Sequence, residues 1–296
     1  MSLNKNFLSL DKFIHQALYS PKNGFYMKKN PFGDKGDFIT SPLISILFSE
    51  MLSVWTVAFW QNLKCPKNIN LIELGAGNGQ MMYDMINSFK SFPEFNKSCK
   101  FYIFETSPYL KKIQKEKLKE FNVIWIKNLN EIKKNYNIFI ANEFFDALPI
   151  KQFFKINKKW MEKFVVLEKN NKKKFINFVS NIKKVEKKIG FKISKNQKII
   201  EYSPLGLEYL KIISKKINKT KGGLLIIDYG YLENSMKDTL MAIKKHNNSN
   251  VLNAFGNSDI THKLNFNILK KFTKNLKLKC QGITTQKDFL TSLGIN

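Results

Sequence analysis

Residues 71–80, LIELGAGNGQ, set an apolar run, a carboxylate and three glycines in ten positions, with Gly75, Gly77 and Gly79 alternating. Glycine tolerates positive φ and has no Cβ, so a backbone of this kind can lie directly against a ligand. The next apolar positions, Met82, Met85, Ile86 and Phe89, are spaced for one face of a helix. The segment reads as strand, glycine turn and helix, and the chemistry it supports is the binding of a nucleotide-like molecule. A phosphate loop of the G-x-x-x-x-G-K-[ST] type is excluded, because no Lys-Ser or Lys-Thr follows. A dinucleotide fingerprint, G-x-G-x-x-G, fits less well: the third glycine comes one residue early, and Glu73 stands two positions before the first. Glycines that merely serve a tight turn are the competing reading of the loop alone.

Three further places carry side chains suited to chemistry. Glu105 closes the second apolar segment, where an acid can accept hydrogen bonds from both hydroxyls of a ribose, although a strand-end charge would look the same. The fourth apolar segment empties into ANEFFDALP, residues 141–149, which delivers Asn142, Glu143 and Asp146. Two carboxylates and an amide suit a cationic or amine substrate, and a carboxylate can also take up its proton. Against this, Asn142 or Asp146 could simply cap a turn, with Phe144 and Phe145 as core. Asp228, ahead of Tyr229 and Gly230, repeats the arrangement at the end of the fifth segment, where a turn-stabilising role competes.

The elements that must hold these residues alternate between strand and helix. Apolar positions 10, 13, 14, 17 and 18 predict a first helix, and a second begins near Pro42, capped by Thr40 or Ser41, and runs towards Gln61. Strands are expected at the glycine-loop segment, 100–105, 123–126, 136–141 and 224–228, with helices after the loop, from Pro108 to about Glu120, and over 205–217. This alternation predicts a parallel, doubly wound sheet with its ligand beyond the strand C-termini. Residues 151–200 read instead as short strands separated by polar turns, that is, hairpins added to the main sheet. We read one catalytic domain over 1–296: an N-terminal helical section (1–65), a cofactor half (66–150), an inserted substrate-side region (151–220) and C-terminal strands and helices (221–296).

Composition narrows the classes. A chain of 296 residues with 43% apolar content can build a proper core. The longest apolar stretch, 44–60, is interrupted by Glu50 and falls short of a membrane span, so it is read as a buried helix. The first residues lack an apolar core followed by a small-residue cleavage site, which predicts a protein kept inside the cell. Cys65, Cys99 and Cys280 show no paired spacing and are read as reduced core thiols, and the scattered His15, His246 and His262 suggest no metal site. The formal charge of +27 invites a nucleic-acid reading, yet all 50 basic residues are lysine. Arginine, favoured for bidentate phosphate and base contacts, is absent, which argues against a dedicated nucleic-acid binder. The lysine, asparagine, isoleucine and phenylalanine bias suits AT-rich codons.

Seven segments occur in the order found in the MidA family: GDFITSP (36–42), ELGAGNG (73–79), ETSP (105–108), NEFFDALP (142–149), IDYG (227–230), DITHKLNF (259–266) and TTQKDFLTSLGI (284–295). The chain resembles these class I S-adenosylmethionine (SAM) methyltransferases of bacteria and mitochondria over nearly its whole length. The resemblance implies an α/β, Rossmann-like methyltransferase sheet with an N-terminal helical section and an inserted β-hairpin region on the substrate side. It implies SAM as cofactor, with Glu73 at the cationic methionine end, the loop of Gly75, Ala76, Gly77 and Gly79 beneath ribose and methionine, and Glu105 at the ribose. The mitochondrial member methylates an arginine in a core subunit of respiratory complex I and is needed for its assembly. A protein substrate follows, its guanidinium held by Asn142, Glu143 and Asp146, with Thr40, Ser41 and Asp228 on the substrate side. No membrane insertion is expected, a homodimer is compatible, and the compartment is the bacterial cytoplasm or, in a eukaryote, the mitochondrial matrix. RNA or small-molecule methylation and a non-catalytic SAM-binding assembly role are the alternatives. The chain departs from the family at Leu43, where Glu is usual, and at Ala76 and Asn78, where Pro and Arg are frequent.

Overall fold

The computed structural model describes residues 7–28, 42, 45–168, 172–244, 247–253 and 255–295, so Thr40 and Ser41 lie outside the described residues. The chain divides into two compact units, each drawn from separated stretches. One holds 29–144, 212–228 and 280–296, the other 1–28, 145–211 and 229–279.

The first unit contains the glycine loop. Its strands are β1 (Ile69–Leu74), β2 (Cys99–Phe104), β3 (Val123–Ile126), β4 (Tyr136–Asn142) and β5 (Gly222–Ile227), all parallel, in the order β5-β4-β1-β2-β3. Every residue of β1 is buried, as the near-continuous apolar runs of strands covered on both faces require. The covering helices are α1 (Ile46–Asn62), α2 (Gln80–Phe89) and α3 (Pro108–Lys117). Leu52 and Trp60 of α1 and Met82, Met85 and Phe89 of α2 join Leu71, Ile103 and Ile138 of the sheet in one core cluster. Ser45 caps α1 by accepting from the Leu47 N–H at 3.2 Å, and the caps expected at Thr40 or Ser41 lie outside the described residues. The apolar stretch expected to be a buried helix is buried along one face only, since Ile46 and Leu47 are exposed. Ser107 caps α3, with Pro108 in its first turn.

The topology sets the site. The chain lays down β1, β2 and β3 outward and then returns to the opposite side of β1 for β4, so the strand order reverses between β1 and β4. Ligands of open α/β sheets bind beyond the strand C-termini at such a point. Here Leu74, just before the glycine loop, pairs in register with Ala141, just before Asn142. At the opposite end Asn70 and Asn137, also paired in register, are buried. The Asn70 Nδ2 donates to Asn137 Oδ1 at 2.9 Å, and Asn137 Nδ2 donates to the Asn135 carbonyl and to Thr220 Oγ1.

The second unit is mainly antiparallel. Strands Phe7–Ser9, Lys159–Leu167, Lys151–Ile156 and Ile199–Tyr202 follow one another, and Lys173–Val179 also pairs with Lys159–Leu167. The hairpin turn at Asn157-Lys158 has both residues at positive φ, 49° and 65°, which matches the twist of a two-residue hairpin. Among the described residues these hairpins form their own sheet and do not extend the parallel one. Their partly exposed, polar-interrupted strands suit a sheet with a solvated face, unlike the doubly covered strands of the first unit. Residues 182–189 form a helix where further strand was expected. Asn181 caps its start through the Lys184 N–H, and Gly190, at φ +87°, ends it. Of the three free cysteines only Cys99 is a core thiol; Cys65 and Cys280 are exposed. No helix among the described residues is long and apolar enough to cross a membrane.

Candidate active site

Gly75, Gly77 and Gly79 all sit at positive φ (69°, 53° and 84°), so the turn after β1 uses the conformational freedom that the spacing implied. Gly75 donates to the Phe104 carbonyl at the end of β2, and Gly79 donates to the carbonyl of Ala76 before opening α2. The first glycine is also required by space. A Cβ built on it would lie 2.7 Å from Cδ2 of Phe144, the residue that follows Asn142 and Glu143 beyond β4.

Two carboxylates flank this turn in the sheet. Glu73, within β1, is 4% exposed, and its Oε2 has no hydrogen-bond partner among the described residues. Burial, and secondarily the charge of Glu105, push its carboxyl up to about 8. Glu105, beyond β2, is buried as well and raised by desolvation, but its oxygens are engaged: Oε1 accepts from the Ser107 N–H at 2.7 Å and Oε2 from Gln114 Nε2 at 2.9 Å. The same Gln114 amide donates to the Gly77 carbonyl at 2.9 Å.

Asn142 is the last residue of β4, paired in register with Ile227 at the end of β5. Glu143 donates its N–H to the Ile227 carbonyl at 2.9 Å and stands at φ +46°, an uncommon backbone state for a residue with a side chain. Both are half-buried, as is Asp228, directly after β5. Glu73, the glycine loop, Glu105, Asn142, Glu143 and Asp228 thus all belong to the first unit, at the C-terminal ends of its strands.

Asp146 belongs to the second unit. Its Oδ2 accepts from Thr261 Oγ1 at 2.8 Å, and its carbonyl accepts from the His262 N–H at 3.2 Å. Thr261 and His262 lie in the DITHKLNF segment, so two of the sequence motifs meet here. Burial raises the Asp146 carboxyl and lowers the His262 imidazole, which the neighbouring Asp146 partly offsets. Tyr26 donates to Asp259 Oδ1 at 2.7 Å and stacks on Tyr19, and its phenol is held well above its usual range by burial and by Asp259.

Residues 51–284 match a family model described as "Putative S-adenosyl-L-methionine-dependent methyltransferase". The chain belongs to this family and is a class I SAM-dependent methyltransferase of the MidA type. Among similar curated proteins is the Xenopus laevis protein arginine methyltransferase NDUFAF7, mitochondrial, 30% identical over 98% of this chain and 71% of its own length. The human protein of the same name is 28% identical over 98% of this chain and 70% of its own. A crystal structure of a Burkholderia thailandensis protein bound to S-adenosyl-homocysteine superposes with a TM-score of 0.81. It covers 98% of this chain and 77% of that one at 20% identity, a likeness of fold.

The residues of this methyltransferase fit its cofactor. The glycine turn leaves backbone bare where a Cβ would intrude, and the orphaned Glu73 Oε2 offers a buried acceptor to a cationic ligand. Sequence reading missed Gln114, which bridges Glu105 and the Gly77 carbonyl, and the partnership of Asp146 with Thr261. A signal for Gln114 was present: it stands four residues from both Leu110 and Leu118, and all three are buried on one side of a lysine-rich segment. Gly75→Ala should weaken S-adenosyl-homocysteine binding at least tenfold by calorimetry. The new methyl must displace Phe144 and adopt a left-handed backbone that costs about 1–2 kcal/mol. Unchanged binding would remove this turn from the site.

Proposed function

We propose that the enzyme methylates an arginine side chain of a protein, a subunit of respiratory complex I, and so assists assembly of that complex. The relatives' names support arginine as acceptor, and the observation that carries the reading is the placement of Asn142 and Glu143 at the end of β4, beside the strand that opens the glycine loop. We assign Glu73 to the methionine ammonium, Gly75, Ala76, Gly77 and Gly79 to the backbone beneath ribose and methionine, and Glu105 to the ribose hydroxyls.

SAM, when bound, supplies an electrophilic methyl group on a sulfonium. A protonated guanidinium is a poor nucleophile because its charge is delocalised, so the chain's own task is to hold it, localise its electrons and remove a proton. Asn142 and Glu143 orient the guanidinium and Glu143 accepts the proton lost as the N–C bond forms. Asp146, Thr40, Ser41 and Asp228 are assigned to the substrate side from their motifs.

Mass spectrometry of purified complex I subunits incubated with the enzyme and isotopically labelled SAM tests the reading. Label on an arginine of one subunit is the expected outcome, absent with Glu143→Gln. Label on added RNA but on no subunit would overturn it.

A further inference from the structure

Gln114 sits on α3 with no exposed surface, and every hydrogen-bonding atom of its side chain is used. Its Oε1 accepts from Trp125 Nε1 of β3 at 3.0 Å, which fixes the orientation of the amide and turns Nε2 towards two acceptors. Those acceptors are Oε2 of Glu105 and the carbonyl of Gly77, each at 2.9 Å. The flipped amide would set its carbonyl oxygen against a carboxylate and a second carbonyl, so the indole admits one orientation only. The glycine loop receives the helix closely as well: a Cβ on Gly79 would lie 3.4 Å from Gln114 Cγ. With Ser107 N–H on the other oxygen, the Glu105 carboxylate is clamped from two sides.

We infer that Gln114 is a positioning residue for the cofactor: its amide locks Glu105 and the Gly77 carbonyl into one rigid frame before the ribose arrives. The inference rests on the assignment of Glu105 to the ribose hydroxyls. A preset acceptor spares the ligand the cost of ordering it, so the effect falls chiefly on the ribose hydroxyls that Glu105 receives.

The test compares S-adenosyl-homocysteine with its 2′,3′-dideoxy analogue by calorimetry. The native enzyme should prefer the ribose-bearing ligand by about 10- to 100-fold, as hydrogen bonds to a charged group allow. Glu105→Gln should abolish the preference; if it persists, the ribose assignment falls and the role of Gln114 falls with it. Gln114→Met, of similar length, should bring the preference within about threefold while leaving affinity for the dideoxy ligand nearly unchanged. Full preference in that variant, with Glu105→Gln behaving as expected, would overturn the inference alone, and equal weakening of both ligands would reduce Gln114 to a purely structural part. Gln114→Glu guards against a packing defect. Its carboxyl can donate to Glu105 only when protonated, so affinity relative to the native enzyme should climb as pH falls, and a profile parallel to the native one would count against the inference.

Discussion

Glu143→Gln is expected to lower methyl transfer about 10²- to 10⁴-fold while S-adenosyl-homocysteine binds within threefold of the native affinity. The substitution keeps size and hydrogen-bonding reach but removes the base, so the loss should appear in kcat. A second variant exploits the backbone. Glu143 occupies φ +46°, and a residue with a Cβ there costs about 1–2 kcal/mol relative to an unstrained one. Glu143→Gly should therefore raise the melting temperature by a few degrees and still abolish turnover. Higher stability with full activity would mean that the strained position serves no chemistry, and Glu143 would leave the mechanism.

Glu73→Gln should weaken cofactor binding about 10- to 100-fold, the scale of a lost charge-assisted contact, and should also change the pH dependence of both binding and stability. The folded carboxyl is pushed up from 4.5 to about 8, chiefly by burial. Between those values the native state holds a proton that the unfolded chain has lost, so stability of the ligand-free enzyme falls as pH rises across this window. The buried Glu105, shifted in the same direction, adds to that fall. A cationic ligand reverses the preference by favouring the ionised form, so below about pH 8 binding should release a proton and tighten with rising pH. Calorimetry in buffers of different ionisation enthalpy reads the proton directly. The Gln variant should show a smaller release and lose less stability between pH 5 and 8. Equal proton release in both proteins would assign the titration to another group.

The parallel sheet was legible because its signals are local. The apolar runs of β1 to β5 and the glycine spacing lie within a few residues of one another, and Glu73 and Glu105 take their meaning from strand ends that such runs define. What escaped depends on pairing at long range. The hairpins of 151–179 read correctly as strands, but nothing in their alternation says which sheet receives them. Ile182–Ile189 is an exception, since Ile182, Val185 and Ile189 at spacings of three and four mark one helical face between the capping Asn181 and Gly190, a local signal. Gln114 shares a helix face with Leu110 and Leu118, which marks it as buried, but its partners Trp125 and Glu105 are brought to it only by the fold. Asp146 is met by Thr261 from 115 positions away, a partnership that periodicity does not encode.

The amide pair Asn70 and Asn137 has a consequence far from where it sits. Strands that are apolar on both faces have no solvent side to penalise sliding, so β1 against β4 could slip by one residue with little loss of buried area. A slip of about 3.3 Å would carry the glycine turn past Glu143 and separate donor from acceptor chemistry. It would also break the Asn70–Asn137 amide pair in the core, at about 1–3 kcal/mol for a buried group left unsatisfied. The two asparagines thus act as an indexing pin: they admit the one alignment of β1 and β4 in which the two loops at the other end of the sheet face each other at the right height.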